Sequence, residues 1–223
     1  MEYSNEQMIN KLKVAVLISG RGSNLKSLIE NARDYEIIAV LSNNPEAPGL
    51  KIAAASQIPC FSFGKRAYGD STGQKRAILE KLKALNPDLI ALAGFMMILT
   101  PDFIERFPNR MINIHPALLP KYPGLDTHNR ALQAQDTEHG CTVHIVDAGL
   151  DTGKIIAQAT VPVMPGDTEE TLAARVLARE HEIYPWVLAS LASGGIGLNV
   201  TSVEYGVDTR SDAKLRRFLL PAQ

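Results

Sequence analysis

Val14-Ala15-Val16-Leu17-Ile18-Ser19-Gly20-Arg21-Gly22-Ser23-Asn24, continued by Leu25, Leu28 and Ile29, is the stretch that decides the fold. The apolar, mostly β-branched run reads as a strand, the glycines as a tight loop, and the apolar spacing after Asn24 as one face of a helix. A strand that runs through a glycine loop into a helix is the opening unit of an α/β sheet.

The same alternation continues along the chain. Ile37 to Leu41 reads as a strand, Ala47 to Ser56 as a helix and Pro59 to Phe63 as a third strand, which makes two βαβ units. A charged helix from about Gly73 to Leu85 stops at Asn86-Pro87, because a residue before proline is pushed out of helical geometry. Asp88 to Ala93 follows as an apolar strand running into Gly94, and Thr100-Pro101 opens a short helix. Beyond it come a strand at Met111 to Ile114, a proline-rich loop, a helix at Thr127 to Gln135, strands at Gly140 to Val146 and Ile155 to Val163, and a long helix from Thr168 to Ser190. The expected fold class is α/β: an open, mostly parallel twisted sheet with helices on both faces, Rossmann-like. After Gly194 the sequence offers only a strand at Leu198 to Tyr205 and a basic stretch from Lys214 to Arg217.

The 223 residues are 45% hydrophobic and 21% charged, enough to bury a sizeable core in one domain. A formal net charge of -1 gives no basic field for holding long nucleic acid, so the expected partners are small molecules, with no nucleic acid and no membrane. Cys60 and Cys141 have neither zinc-site spacing nor the density of a disulfide scaffold, and no apolar run has signal-peptide or membrane-spanning length. Both features lead to the expectation of a cytoplasmic protein, monomer or homodimer, without a metal.

Two constellations carry chemistry. In the first, the Gly20 to Asn24 loop lets backbone N–H groups close on an anion at a helix N-terminus. Its spacing is neither the dinucleotide G-x-G-x-x-G nor the G-x-x-x-x-G-K-[ST] triphosphate loop, so a single phosphate fits it best. A plain glycine turn with Ser23 or Asn24 as helix cap is the alternative. In the second, Asn113-Ile114-His115 closes a strand, and period two sends both polar side chains to one side at the carboxyl end of the sheet, where open α/β sheets bind ligands. An amide that steadies an oxyanion beside an imidazole that moves a proton is equipment for acyl transfer. The loop Pro116 to Gly124 is stiffened by prolines, and Asp147-Ala148-Gly149-Leu150-Asp151 leaves another strand with two carboxylates. Asp151 is placed to orient His115 and favour its charged form if the two meet, but their separation in sequence does not decide that.

The stretches SGRGSN, LAGFMMILTP, NIHPALLPKYPG, EHGCTVHIVDAGLDTG and REHEIYP, in this order over roughly Val14 to Leu188, resemble the phosphoribosylglycinamide formyltransferases. The N-I-H loop and the Leu150-Asp151 loop are shared with other formyl-folate enzymes; the phosphate loop followed by P-K-Y-P-G is specific to this branch. The resemblance implies transfer of the formyl group of 10-formyltetrahydrofolate, a consumed cosubstrate, to the amine of phosphoribosylglycinamide in de novo purine biosynthesis. It implies a single domain over 1–223, with a mononucleotide-binding half at 1–110, a catalytic and folate-binding half at 111–190 and an extension at 191–223. Asn113, His115 and Asp151 would be catalytic. Gly22, Ser23 and Asn24 would take the substrate phosphate, with Glu180 on the glycinamide side. Folate would lie along Phe95, Met96, Met97, Ile98 and Leu99, against Asp147, Ala148, Gly149, Leu150 and Asp151, with Asn113 reaching its formyl group and Lys65 or Arg66 as its basic contact.

The chain departs from the family at Met97, where an arginine is usual, and at Asp126, where a histidine is frequent. A thioether cannot bond a folate carboxylate. Rival readings are a formyl-folate hydrolase with the same trio acting on water, formylation of initiator methionyl-tRNA, which would need an additional basic RNA-binding domain, and a non-catalytic sugar-phosphate binder, which would not need the trio.

Overall fold

The opening stretch folds as a strand, β1 (Leu12–Ile18), that turns through the glycine loop into a helix, α1 (Ser23–Glu30). In this computed structural model the described residues are 11–196 together with the backbone of two short strands, 204–207 and 215–219. Most of the strand expected at Leu198 to Tyr205 lies outside them, as does Lys214 in the basic stretch. The chain continues through β2 (Tyr35–Ser42), α2 (Gly49–Ala55), β3 (Cys60–Ser62), α3 (Lys65–Tyr68), α4 (Ser71–Leu85), β4 (Leu89–Leu92), α5 (Pro101–Ile104) and β5 (Met111–His115). It then forms α6 (Thr127–Gln133), β6 (Glu138–Ile145), β7 (Ile155–Pro162), α7 (Glu169–Ala192), β8 (Glu204–Val207) and β9 (Leu215–Leu219).

The strands make one sheet in the order β3-β2-β1-β4-β5-β6-β7-β9-β8. From β3 to β5 every pairing is parallel, and from β5 onward every pairing is antiparallel. Among the described strands only β6 and β9 therefore run against the others, and the sheet is mostly parallel in direction.

Period two separates two apolar layers. Val14, Val16 and Ile18 pack with Leu25, Leu28, Ala53 and the α7 residues Leu172, Val176, Ile183 and Leu188. Ala15 and Leu17 pack on the other side with Ile78 and Leu82 of α4, Phe103 of α5 and Phe107. Each residue type thus points to the helix layer that covers it, as a sheet buried on both faces requires. Helix α4 begins ahead of the expected Gly73 because Asp70 caps it, its carboxylate accepting from the Gly73 N–H at 2.8 Å. The four-residue α3 was not expected; so short a turn carries no periodicity to read.

The order β3-β2-β1-β4-β5 puts the topological switch between β1 and β4, where successive loops leave in opposite directions and a crevice opens. The glycine loop Gly20 to Asn24 follows β1 and the Phe95–Leu99 segment follows β4. Strand β5 brings Asn113 and His115 to the same end of the sheet.

Candidate active site

In β5 the side chains of Ile112 and Ile114 join the first apolar layer and Met111 joins the second, so alternation sends Asn113 and His115 to the second side. Antiparallel β6 does the same: Cys141, Val143 and Ile145 enter the first layer and leave Thr142 and His144 on the opposite face. The register pairs Asn113 with His144 and His115 with Thr142. Polar side chains from two strands thereby converge on one patch. A β-bulge between Val143 and His144 in the pairing with β7 sits beside them, a device that re-aims side chains at such sites.

Asp151 completes the patch. Its backbone adopts φ +54°, uncommon for a residue with a side chain, and its carboxylate turns back to the strands. Oδ2 lies 3.3 Å from His115 Nδ1 and accepts the Gly124 N–H at 2.9 Å, while Oδ1 lies 3.6 Å from His144 Nε2. Gly153 makes this return possible, since a Cβ there would run into the carbonyl oxygen of Ile145. Burial raises the Asp151 pKa, but the His144 contact, the Gly124 N–H and the charge of His115 outweigh it and hold the carboxylate below its ordinary value.

His115 is 4% exposed, and its Nε2 faces the Tyr122 carbonyl at 2.8 Å. Burial pulls its pKa below the ordinary imidazole value, against the Tyr122 carbonyl and Asp151, which both raise it. Asp151 thus acts in the expected direction on the imidazole, but it does not prevail over burial. Both ring nitrogens point at oxygen acceptors, so protonation, when it occurs, creates a donor that already has its partner.

His144 is the residue that sequence reading missed. Its Nδ1 lies 2.9 Å from the Ile145 carbonyl, and its Nε2 faces both Asp151 Oδ1 and the Asn113 amide. The Asn113 amide nitrogen sits 3.2 Å from that Nε2. One amide hydrogen is thereby used to orient Asn113, and the other remains for a substrate oxygen. Alternating polar residues in Cys141-Thr142-Val143-His144-Ile145 were the available signal.

Buried polar groups hold the loop after His115. Thr142 Oγ1 donates to the Ala117 carbonyl at 2.6 Å and accepts from the Leu119 N–H at 3.0 Å; Gln158 Nε2 donates to the Leu119 carbonyl at 2.8 Å. At its far end Asp126 starts α6 with φ +57°, a conformation that aspartate tolerates, and its side chain makes no capping bond.

In the glycine loop Gly22, not Ser23 or Asn24, is the helix cap, with φ +79° and no side chain capping the first turn. The leading N–H groups of α1 are thus left for an external acceptor. A Cβ on Gly22 would come within 2.6 Å of the Gly49 Cα, so the loop and α2 approach backbone to backbone. Asn24 is buried and donates from Nδ2 to Glu180 Oε2 at 2.6 Å, leaving its own Oδ1 without a partner. Burial pushes the Glu180 carboxyl above its ordinary value, opposed by the Asn24 bond. The structure therefore joins Gly22, Ser23, Asn24 and Glu180 across 156 residues of sequence separation.

The Phe95–Leu99 segment alternates. Met96 and Ile98 are 72% and 77% exposed, whereas Phe95 and Met97 pack against the second apolar layer and Leu99 is buried. Met97 is spent on packing, which suits a thioether. Leu150 and Leu125 add exposed apolar surface from the two loops around Asp151 and Gly124. Asp147 accepts the Gly149 N–H at 3.0 Å and the Thr152 hydroxyl at 2.8 Å, so its carboxylate holds its own turn. Lys65 and Arg66 sit exposed together on α3, and the fold does not choose between them. Among the described residues no three His, Cys, Asp or Glu side chains gather as metal ligands, and no helix is long and apolar enough to cross a membrane.

A protein-family profile described as formyl transferase matches residues 12–188. Phosphoribosylglycinamide formyltransferase from Escherichia coli (strain K12) is 42% identical over 192 residues, covering 84% of this chain and 91% of the relative. The trifunctional purine biosynthetic protein adenosine-3 of Drosophila pseudoobscura pseudoobscura is 47% identical over 190 residues, 82% of this chain; the match spans only 14% of that much longer protein. Among solved structures, phosphoribosylglycinamide formyltransferase from Coxiella burnetii, in complex with CHES, superposes with a TM-score of 0.79 at 45% identity, covering 83% of this chain and 89% of the other.

Proposed function

The chain belongs to the formyl transferase family, and on that footing we propose that it transfers the formyl group of 10-formyltetrahydrofolate to the amine of phosphoribosylglycinamide, a step of de novo purine biosynthesis. The observation that carries this reading is the meeting of Asn113, His115 and Asp151 at the carboxyl end of the sheet, beside a loop suited to one phosphate.

The ribotide phosphate lies on the backbone of Gly22, Ser23 and Asn24, where the uncapped first turn of α1 supplies N–H donors and favourable dipole. The Glu180 carboxyl, held by the Asn24 amide, offers an acceptor on the glycinamide side. The pterin lies between the Phe95–Leu99 segment and the Asp147–Asp151 loop, on the apolar surface of Met96, Ile98 and Leu150. Lys65 or Arg66 meets the acidic tail.

The amine attacks the formyl carbon, and the carbonyl oxygen gathers negative charge that the free Asn113 amide hydrogen stabilises. The tetrahedral intermediate collapses as the carbon–N10 bond breaks. A proton leaves the attacking nitrogen and one reaches N10, with His115 as the shuttle. Asp151 raises the proton affinity of His115 against the pull of burial, which still leaves the imidazole below its ordinary value, and so favours the protonated form that the shuttle needs. The products are the formylated ribotide and tetrahydrofolate. The amine is itself a competent nucleophile, so no covalent enzyme intermediate is required.

We read the chain as a single formyltransferase domain working on small molecules in the cytoplasm, where free thiols such as Cys60 and Cys141 persist. A folate absorbance assay with purified protein, formyl-folate and the ribotide, each omitted in turn, tests the function. Turnover that requires both substrates is expected. Formate release without the ribotide would replace the transferase with a hydrolase.

A further inference from the structure

We propose that Ser19 is a positioning residue that sets the distance between the two substrates by tying the phosphate loop to the folate-lining segment across the switch point of the sheet. The proposal rests on the assignments of Gly20–Asn24 to the phosphate and of Phe95–Leu99 to the folate.

Ser19 stands between β1 and the phosphate loop and uses every hydrogen-bonding group it has. Its N–H donates to the Gly94 carbonyl at 3.1 Å. Its Oγ accepts the Met96 N–H at 2.7 Å and donates to Asn43 Oδ1 at 2.6 Å. Its carbonyl accepts from Asn44 Nδ2 at 3.2 Å. One residue thus touches the loops that leave β1, β2 and β4. The chain of bonds continues outward: Gln74 of α4 donates to the Asn43 carbonyl at 2.9 Å and to the Phe63 carbonyl at 2.6 Å, which anchors Asn43 to the sheet from behind.

The crevice opens here because the loops after β1 and β4 diverge, and divergent loops have no ladder to hold their spacing. The backbone contact between Ser19 and Gly94 is the last rung at the base of the cleft; past it, the hydroxyl holds Met96. Met96 presents an exposed side chain and a backbone committed to Ser19, so the segment is fixed through its main chain while its apolar surface stays available. Amine and formyl carbon must meet within about 3–3.5 Å, and a misplacement of about 1 Å costs roughly 10²-fold in rate. Moving Met96 relative to Gly20–Asn24 changes that separation directly.

The test compares Ser19→Ala, Ser19→Thr and Asn43→Ala with wild type in steady-state kinetics, and by calorimetric titration of the ribotide and of 10-formyltetrahydrofolate separately. Wild-type titrations show whether each ligand binds at all, so failure of the functional reading appears there and not in the variants. Ser19→Ala is expected to bind each ligand alone within about threefold of wild type while kcat falls about tenfold or more. Ser19→Thr, which keeps the hydroxyl, should recover most of kcat, a rescue that general loosening would not give. Asn43→Ala removes the partner that orients the hydroxyl and should show a smaller loss of the same kind; it decides the matter if Ser19→Ala does not fold. An unchanged kcat, a loss fully explained by weaker binding of one ligand, or a threonine variant as slow as the alanine variant would overturn the proposal.

Discussion

The two ends of the crevice are built on opposite plans. The glycine loop proposed to hold the phosphate is contiguous in sequence, local in space and made of backbone; the side chains of Ser23 and Asn24 do not even cap their helix. The patch proposed as catalytic is made of side chains brought by β5, β6 and the loop after β6, and each is oriented by another: Asn113 by His144, His115 by Asp151 and Tyr122, Asp151 by Gly124. A backbone site depends on conformation, whereas a side-chain site depends on functional groups. Substitutions at the patch should therefore remove chemistry and spare the fold, and substitutions at the loop should alter affinity or the fold before they alter chemistry.

The largest effect is expected at the patch. His115→Ala should lower turnover by about 10²-fold or more with both ligands still bound, the usual cost of losing a positioned acid–base group. Asn113→Ala should cost roughly 3 kcal/mol of transition-state stabilisation, the loss of one oxyanion donor. Single-turnover rates and ligand titrations on the same preparations check both. If either loss appears only as weaker binding, the side-chain plan is wrong for that residue.

At the loop, Gly22→Val does not act on the phosphate alone. Its Cβ would strike the Gly49 backbone in a conformation with φ +79°, so stability should fall, by about 1–3 kcal/mol, along with ribotide affinity. Ser23→Asp is the cleaner probe. A carboxylate in the first turn of α1 favours the helix by about 0.3–1 kcal/mol and repels a phosphate at the same N–H groups. Calorimetry should show ribotide affinity down about tenfold or more, an effect of roughly 1.4 kcal/mol, with folate affinity and melting temperature unchanged or slightly improved. Unaltered ribotide affinity would remove the phosphate from this loop.

The same contrast decides what the sequence revealed. The phosphate loop, its flanking strand and helix and the sheet alternation are local signals, and β1, α1, β2, β4 and α7 lie within a few residues of their expected positions. Asn113 and His115 were legible because period two needs only their own strand. His144 was not, because its value comes from pairing with Asn113 across an antiparallel register that the sequence does not specify. Thr142 and Gln158, which pin the loop after His115, were silent for the same reason. Asp151 is legible as a carboxylate that could orient His115, but its sequence position does not show that the two meet; the return of its loop, permitted by Gly153, brings it within reach of His115.

A smaller effect is expected from His144→Phe, which keeps an aromatic ring of similar size and removes the acceptor for Asn113. An ordinary hydrogen bond contributes about 1 kcal/mol, so kcat should fall between a few-fold and about tenfold, with KM for both substrates nearly constant. A loss equal to that of Asn113→Ala would make His144 a direct participant, and no loss would show that Asn113 holds its orientation unaided.

The smallest effect is a shift along the pH axis, and its sign follows from the charges. Asp151 raises the His115 pKa while burial lowers it further, leaving the imidazole below its ordinary value. Replacing Asp151 with Asn removes the raising charge, so the His115 pKa should drop again, and the protonated fraction at neutral pH with it. In NMR titration the His115 ring signals should move at lower pH in the variant than in wild type, and the acid limb of the kcat profile should follow. Stability responds to both groups with one sign, in two pH windows. In wild type the depressed Asp151 pKa contributes stability that is present above its ordinary carboxyl value and lost as pH falls through its lowered one, a contribution the variant lacks. The lowered His115 pKa works in the same direction at higher pH: below the ordinary imidazole value the unfolded chain takes up a proton that the folded chain refuses, so stability declines as pH falls, and the variant extends this decline to lower pH. Denaturant melts from neutral to mildly acidic pH should therefore show the variant losing stability over a wider acid range than wild type. Ser23→Asp, at the backbone end of the crevice, should leave the His115 titration where it is. A common shift in both variants would mean that the two ends are coupled through the fold and not through these side chains.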